Sequence, residues 1–277
     1  MKSFQEIRNI IDCYSKSSSV TLHEAKLLFR HATGYELNQV DFSKADVCHV
    51  ERFLELLIRR SNGEPVQYLL GRWPFLDFEV VVDSRALIPR PETELLAMIA
   101  GERIKSDPTA VVVDLCAGSG VIAFAIERIG RPAEIHAVEI MNDACSLMEQ
   151  NRNELKSNII IHESDAVSYL ESLPDQSVTA FVSNPPYVSI EDYTSNYEEL
   201  RFEPRTAFIA DNNGLAFYEA FSPLCFRKLK KSGFVLFEVG DDQADAVKTL
   251  LKSDGYSGIE SYPDYQGIER VISGYRY

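Results

Sequence analysis

Basic residues are scarce: 28 Lys and Arg stand against 42 Asp and Glu, a formal net charge of −14 at pH 7. Nucleic-acid affinity rests mainly on Lys/Arg contacts that release counterions, so this balance disfavours a nucleic-acid partner unless a local basic patch exists. Cysteines are few and odd in number. Cys13, Cys48, Cys116, Cys145 and Cys225 are widely scattered, with no C-x-x-C pair. That excludes a disulfide framework and gives no zinc signature, so the expected compartment is reducing, the cytoplasm. His23, His31, His49, His136 and His162 have no second ligand close in sequence, and no metal is expected. Long apolar runs are also missing. The longest uncharged stretch, Gln176 to Ile190, holds two prolines and falls short of the ~20 residues a membrane span needs. The start, Met-Lys-Ser-Phe-Gln-Glu-Ile-Arg, has charges and no apolar signal core, so neither membrane nor secretion is expected.

What is present is the composition of a globular protein, 45% hydrophobic and 25% charged, in 277 residues, slightly under two average domains. The first 65 residues read as helices. Thr21-Leu-His-Glu24 is a capping box ahead of Leu22, Ala25, Leu28, Phe29 and Ala32 at helical spacing, with Gly34 as a stop. Ser43 opens a second segment with Val47, Val50, Phe53, Leu54, Leu57 and Ile58 on one face, ended by Gly63 and Pro65. Phe75, Phe78, Val80 and Val82 then alternate as in a short hairpin. Five strands are predicted beyond it: Ala110–Asp114, Glu134–Glu139, Asn158–His162, Val178–Ser183 and Gly233–Val239. Helical stretches lie between most of them, which implies an α/β fold with a mostly parallel sheet covered on both faces. Gly258–Tyr262 and Ile268–Ser273 close the chain as an antiparallel hairpin. The expected division is a helical domain over residues 1–70, a β-hairpin linker over 71–90 and an α/β domain over 91–277.

Two elements carry chemistry. The first is the strand, turn and helix start Val111-Val-Val-Asp114-Leu-Cys116-Ala117-Gly118-Ser119-Gly120. Its glycines permit positive φ and a close ligand approach. Glu139 ends the next strand, where a carboxylate accepts hydrogen bonds from ribose hydroxyls. Gly-Ser-Gly-Val-Ile-Ala also satisfies the dinucleotide pattern G-x-G-x-x-A. Asp114 argues for the other reading: an acid there repels a pyrophosphate but suits the ammonium of S-adenosylmethionine or its organising water. The second element is Asn184-Pro185-Pro186-Tyr187, directly after a strand end, where open α/β sheets bind ligands. Two prolines stiffen the segment and remove two N–H donors. The Asn184 side-chain oxygen and the Pro185 carbonyl are then acceptors for a planar NH2 group, with the Tyr187 ring to lie against it.

At these residues the sequence resembles the amino-group methyltransferases that carry (Asp/Asn)-Pro-Pro-(Tyr/Phe). Further stretches narrow the likeness to the peptide-chain release factor glutamine N5-methyltransferases: Pro65-Val-Gln-Tyr68, Gly71, Leu87-Ile-Pro-Arg-Pro-Glu-Thr-Glu94, Phe202-Glu-Pro-Arg205, Asp211, Gly214, Leu215, Tyr218, Gly267 and Glu269-Arg-Val271. The resemblance implies a Rossmann-like S-adenosylmethionine-dependent methyltransferase domain behind a helical substrate-recognition domain. It implies methyl transfer to the glutamine of a Gly-Gly-Gln loop in release factors, with S-adenosylhomocysteine as product. By the same resemblance, Cys116 to Gly120 hold the methionine part of the cofactor, Glu139 its ribose, Asp165 and Ala166 its adenine, and Asn184 to Tyr187 the glutamine. Two departures stand out: Cys116 replaces a usual glycine, so the backbone there either avoids positive φ or accepts strain, and Ala166 lacks the usual bulk.

The alternatives are an adenine-N6 or guanine-N2 methyltransferase on RNA or DNA, and a catalytically idle cofactor-binding adaptor. Glu92 and Glu94 suit either a helix N-terminus or a cofactor contact. Cys116 lacks an adjacent base and is no nucleophile. Glu238, Asp241 and Asp242 are expected to be solvated.

Overall fold

Thr21 and Glu24 cap each other reciprocally, the Thr21 hydroxyl accepting from the Glu24 N–H at 3.2 Å and the Glu24 carboxylate from the Thr21 N–H at 2.7 Å. They start helix α1 (Leu22–Thr33), which Gly34 ends at φ 76°. In this computed structural model, which describes Asn9, residues 20–36 and residues 47–277, α2 (Val47–Ser61) and α3 (Val66–Leu70) follow. The Phe29 and Phe53 rings meet edge-on at 5.2 Å in a core shared with Ala25, Leu28, Leu56, Leu57, Val66 and Leu69. The buried stripe differs from the expected one: Leu22 and Ile58 face outward and Leu56 is enclosed. Ser43, Cys13, the start of the chain, and the side chains of Val47 and Cys48 lie outside the described residues.

The chain divides into two compact units, Met1–Trp73 and Pro74–Tyr277. The boundary falls within β1 (Arg72–Phe75), which pairs with β2 (Phe78–Val81) as the expected hairpin, turned at Leu76 with φ 51°. In the second unit Pro91, with φ preset for a helix and no N–H to satisfy, opens α4 (Pro91–Ile104). The order continues β3 (Val111–Leu115), α5 (Val121–Gly130), β4 (Glu134–Glu139), α6 (Asn142–Leu155), β5 (Ile160–Glu163), α7 (Ala166–Ser172) and β6 (Val178–Ser183). Two short helices, α8 (Ile190–Ser195) and α9 (Tyr197–Leu200), precede α10 (Ala216–Lys228), β7 (Leu229–Glu238), α11 (Ala244–Ser253), β8 (Ser257–Pro263) and β9 (Glu269–Tyr275).

The seven strands lie in the order β5-β4-β3-β6-β7-β9-β8, parallel up to β7, with β9 antiparallel to both its neighbours. Val113, Leu115, Phe181 and Phe237 share a core with α7, α10 and α11. The alternate residues Val112, Ala180, Val182 and Leu236 are equally buried, and α4 and α5 pack against those strands. Strands covered on both faces read as unbroken apolar runs. The helices α4 and α5 touch so closely that a Cβ on Gly130 would lie 2.5 Å from Ile104 Cγ1.

After β5 the chain crosses back to lay β6 on the other side of β3. That reversal opens a crevice at the carboxyl ends of β3 and β6.

Candidate active site

Both chemical elements emerge at this reversal. The turn after β3 is held from below by the end of β4: Glu139 accepts the Gly118 N–H on Oε2 and the Met141 N–H on Oε1, each at 2.9 Å. Gly120 has φ 85°, and a Cβ on it would sit 2.6 Å from Met148 Cγ. Cys116 adopts φ 59° with a full side chain, so the position does accept backbone strain, about 1–2 kcal/mol for an L-residue in the left-handed region. Burial, with the nearby Glu139 and Asp114 charges, raises the Cys116 thiol far above its ordinary pKa, which leaves it protonated and unreactive.

A cleft opens above the turn. Cys116, Ala117, Gly118, Ser119 and Glu139 line it together with Asn184 and Pro186. Thus one space joins most of the expected cofactor and substrate residues. Its remaining wall comes from the segment Arg85–Arg90, from Thr93, and from Pro204, Thr206, Ala207 and Phe217. Glu203 ties two of these walls together. Buried, it accepts the Ile88 N–H at 2.9 Å and an Arg90 N–H at 2.5 Å.

Other expected residues stand off the cleft. Asp114 is fully buried behind the turn, accepting the Ala123 N–H at 3.2 Å, and its Oδ1 has no hydrogen-bond partner among the described residues. Burial, reinforced by the Glu139 charge, raises its pKa well above the carboxylate range. The Asp165 carboxylate caps α7 by accepting the Ser168 N–H at 2.8 Å, and Ala166 is the buried first residue of that helix. Gly120, Pro185 and Tyr187 are not among the lining residues. The Tyr187 phenol instead approaches Glu238 Oε1 at 3.5 Å.

Glu238 corrects an expectation. It is not solvated but 1% exposed, because β7 runs between β6 and β9. Asp241 pairs with Arg270 at 2.7 Å, and Asp242 is exposed. Glu94 accepts the Leu76 N–H at 2.9 Å, a structural role that pins the hairpin turn. His136 and His162, on neighbouring strands, stack with ring centroids 5.1 Å apart. No group of three or more His, Cys, Asp or Glu able to hold a metal occurs among the described residues. Sequence reasoning missed Arg85–Arg90, Thr93, Glu203 and Phe217 as parts of the site. The signal available was Leu87–Glu94, which stood out as a signature without an assigned task.

A doubly wound sheet with a ligand cleft at its strand reversal, walled by this turn and this Asn-Pro-Pro segment, defines an α/β methyltransferase. Residues 93–202 match the methyltransferase small domain and residues 16–71 the PrmC N-terminal domain. The release factor glutamine methyltransferase of Salmonella typhimurium is 34% identical over 94% of this chain and 94% of its own. That of Escherichia coli is 34% identical over 95% of each. The chain belongs to the release factor glutamine methyltransferase family. In fold it is also similar to the T. thermophilus 16S rRNA N2 G1207 methyltransferase solved with AdoMet and guanosine, at TM-score 0.54 and 15% identity over 74% of this chain and 50% of that one.

Proposed function

We propose that this protein transfers a methyl group from S-adenosylmethionine to the side-chain amide nitrogen of the glutamine in the Gly-Gly-Gln loop of release factors. The observation that carries the reading is one cleft bounded by Glu139 and the glycine turn on one side and by Asn184 and Pro186 on the other, in a chain of this family.

The cleft suits the cofactor. A Cβ on Gly118 would meet nothing within 4 Å, so the space over the turn is open for a ligand. Each Glu139 oxygen uses one lone pair on a backbone N–H and keeps another for a hydroxyl. In this reading Cys116 to Gly120 hold the methionine part and Glu139 the ribose. Asp165 and Ala166 bound the adenine end through the β5–α7 junction. When bound, S-adenosylmethionine supplies an electrophilic methyl group on a sulfonium centre; no metal is needed.

An amide nitrogen is a poor nucleophile because its lone pair is delocalised. Thr93 Oγ1 accepts from Asn184 Nδ2 at 3.1 Å, which leaves Asn184 Oδ1 to accept a substrate N–H, with the Pro185 carbonyl as second acceptor. Two fixed acceptors align the nitrogen and stabilise the positive charge that develops on it. Alignment alone supplies roughly 7–11 kcal/mol of the barrier. The proton leaves for water once the nitrogen–carbon bond has formed.

Residues 1–70 serve as the recognition domain for the release factor, 71–90 as linker and 91–277 as the catalytic domain, acting in the cytoplasm. Among the described residues no helix is long and apolar enough to cross a membrane. The test is tritiated methyl transfer from S-adenosylmethionine to a purified release factor, to RNA and to DNA. Label on the factor's Gly-Gly-Gln glutamine is expected, and Asn184→Ala should lower kcat roughly 10²–10³-fold, the scale of one lost preorganised polar partner. Label on nucleic acid alone would overturn the reading.

A further inference from the structure

Among the stretches that carry the family likeness, Asp211, Gly214, Leu215 and Tyr218 have no part in the chemistry described above, yet the backbone there is strained. Asn212, Asn213 and Gly214 stand in succession at φ 53°, 53° and 83°, all in the left-handed region. Asparagine enters that region more readily than most residues, but two in a row persist only where the surroundings hold them. The Gly214 N–H closes the turn on the Asp211 carbonyl at 3.1 Å, and the Leu215 N–H bonds the Asn212 carbonyl at 3.1 Å. The turn drives Gly214 against the end of the Asn-Pro-Pro-Tyr segment. A Cβ on Gly214 would lie 2.1 Å from the Tyr187 carbonyl oxygen and 2.3 Å from Gln243 Nε2.

Gln243 completes the contact. Its Oε1 accepts the Gly240 N–H at 3.0 Å, which decides which end of the amide faces the turn. Its NH2 then donates to the Tyr187 carbonyl at 2.9 Å and to the Asn213 carbonyl at 3.2 Å. A side-chain amide has two N–H groups, and both are spent. Gln243 directly precedes α11, whose Ala244, Val247 and Leu251 lie in the core, so the side chain is mounted on a fixed element. Beyond Tyr187 the chain is held again: the Val188 N–H bonds the Phe208 carbonyl at 2.8 Å, and the Val188 carbonyl accepts the Ala210 N–H at 3.0 Å. At the other end, Asn184 rests on Thr93. Between these anchors stand two prolines with φ fixed by their rings. A shift of the Tyr187 carbonyl is therefore passed back to the Pro185 carbonyl and Asn184, since few torsions are left to absorb it.

We infer that Gln243, braced by the left-handed turn Asn212–Gly214, is a positioning residue: it holds the Tyr187 carbonyl and so fixes where Asn184 Oδ1 and the Pro185 carbonyl stand toward the substrate amide. The inference rests on the reading of those two acceptors given under the proposed function. It gives the strained turn a task, because only a residue without a Cβ lets the turn meet Tyr187. It also gives a reason for an amide at 243. A glutamate of the same size would set carboxylate oxygens against two carbonyl oxygens.

The test uses the full-length enzyme and its release factor. Gln243→Met keeps the length of the side chain and removes both donors. It should lower kcat about 10- to 100-fold, the cost of a misplaced reacting partner, while cofactor Kd by calorimetry stays within about threefold and reports a folded cleft. Gln243→Glu should be at least as slow. Gly214→Ala pushes on the same carbonyl and leaves Gln243 in place, and it should show the same split between kcat and cofactor Kd. In an Asn184→Ala background the loss from Gln243→Met should shrink, since residues that act through one another are not additive. Wild-type kcat in Gln243→Met, beside an Asn184→Ala enzyme slowed as stated above, overturns the inference and leaves the reading of Asn184 standing. A fully active Asn184→Ala removes that reading itself. An equal Gln243→Met loss in both backgrounds, or a cofactor Kd that rises as steeply as kcat falls, assigns Gln243 to the fold alone; either overturns the inference.

Discussion

Burial moves the Glu238 carboxyl from 4.5 up to about 7, with the Thr93 hydroxyl and the Arg270 charge opposing the shift and Glu92 adding to it. A native pKa above the unfolded one means that the folded state holds the proton more tightly. Stability therefore falls as pH rises from about 4.5 to 7, and the penalty is complete above that range. Glu238→Gln removes the titration. Relative to the wild type it should gain up to about 3 kcal/mol at pH 8 compared with pH 4, read from urea melts at the two pH values. A difference that does not change with pH would show that Glu238 ionises normally. At this scale the sequence displayed the turn and Asn184-Pro-Pro-Tyr187 as candidates, since each is a contiguous run with its own local logic, and the cleft is lined by part of each. It did not display Thr93 or Glu203, whose partners Asn184 and Ile88 lie 91 and 115 residues away in the chain. Nor did it show which carboxylates are enclosed: Glu238 ends a strand that looks like an edge until β9 is placed beside it.

Between elements, the contact of α4 with α5 sets a test in which two effects have opposite signs. Gly→Ala in a helix ordinarily gains up to about 1 kcal/mol. At Gly130 the added carbon would lie 2.5 Å from Ile104 Cγ1 and 2.9 Å from the Gly101 carbonyl oxygen. Overpacking of this kind costs about 1–3 kcal/mol, so Gly130→Ala should lower Tm; a higher Tm would mean that the two helices separate easily. Helices and strands were the most legible level of the fold. Glu134–Glu139 and Val178–Ser183 occur with the predicted bounds because parallel strands buried on both faces are continuous apolar runs with charged or turn residues beside them. Helix faces were less legible. Leu22 and Ile58 fit the period but sit at its margin, where packing and not spacing decides which side chain is covered. β7 starts earlier than predicted, at Leu229, because Lys230, Lys231 and Ser232 (φ 64°) carry no strand signature although the pairing with β6 reaches back to Val178.

Across the whole molecule, the release factor is large and its target glutamine is one side chain, so the cleft alone offers little area for recognition. The N-terminal unit, with its own core of Phe29, Phe53 and Leu57, is the proposed second contact. A chain lacking residues 1–65 should keep its cofactor affinity but show KM for the whole factor raised at least about tenfold, the equivalent of about 1.4 kcal/mol of lost binding. Unchanged kcat/KM in the folded truncated enzyme would assign the unit another task. The strand order has a consequence of a different kind, in time. Because β9 lies between β7 and β8, β8 has nothing to pair with when it leaves the ribosome, and the edge of β7, with Phe234, Val235, Leu236 and Phe237, stays bare until β9 follows. At about 5–20 residues per second that interval lasts a few seconds. During it the nascent chain exposes an apolar strand edge, and Arg270, which will hold the Val239 carbonyl beside Glu238, has yet to arrive. The sheet is thus complete only when its last strand slides between two others that precede it in the chain.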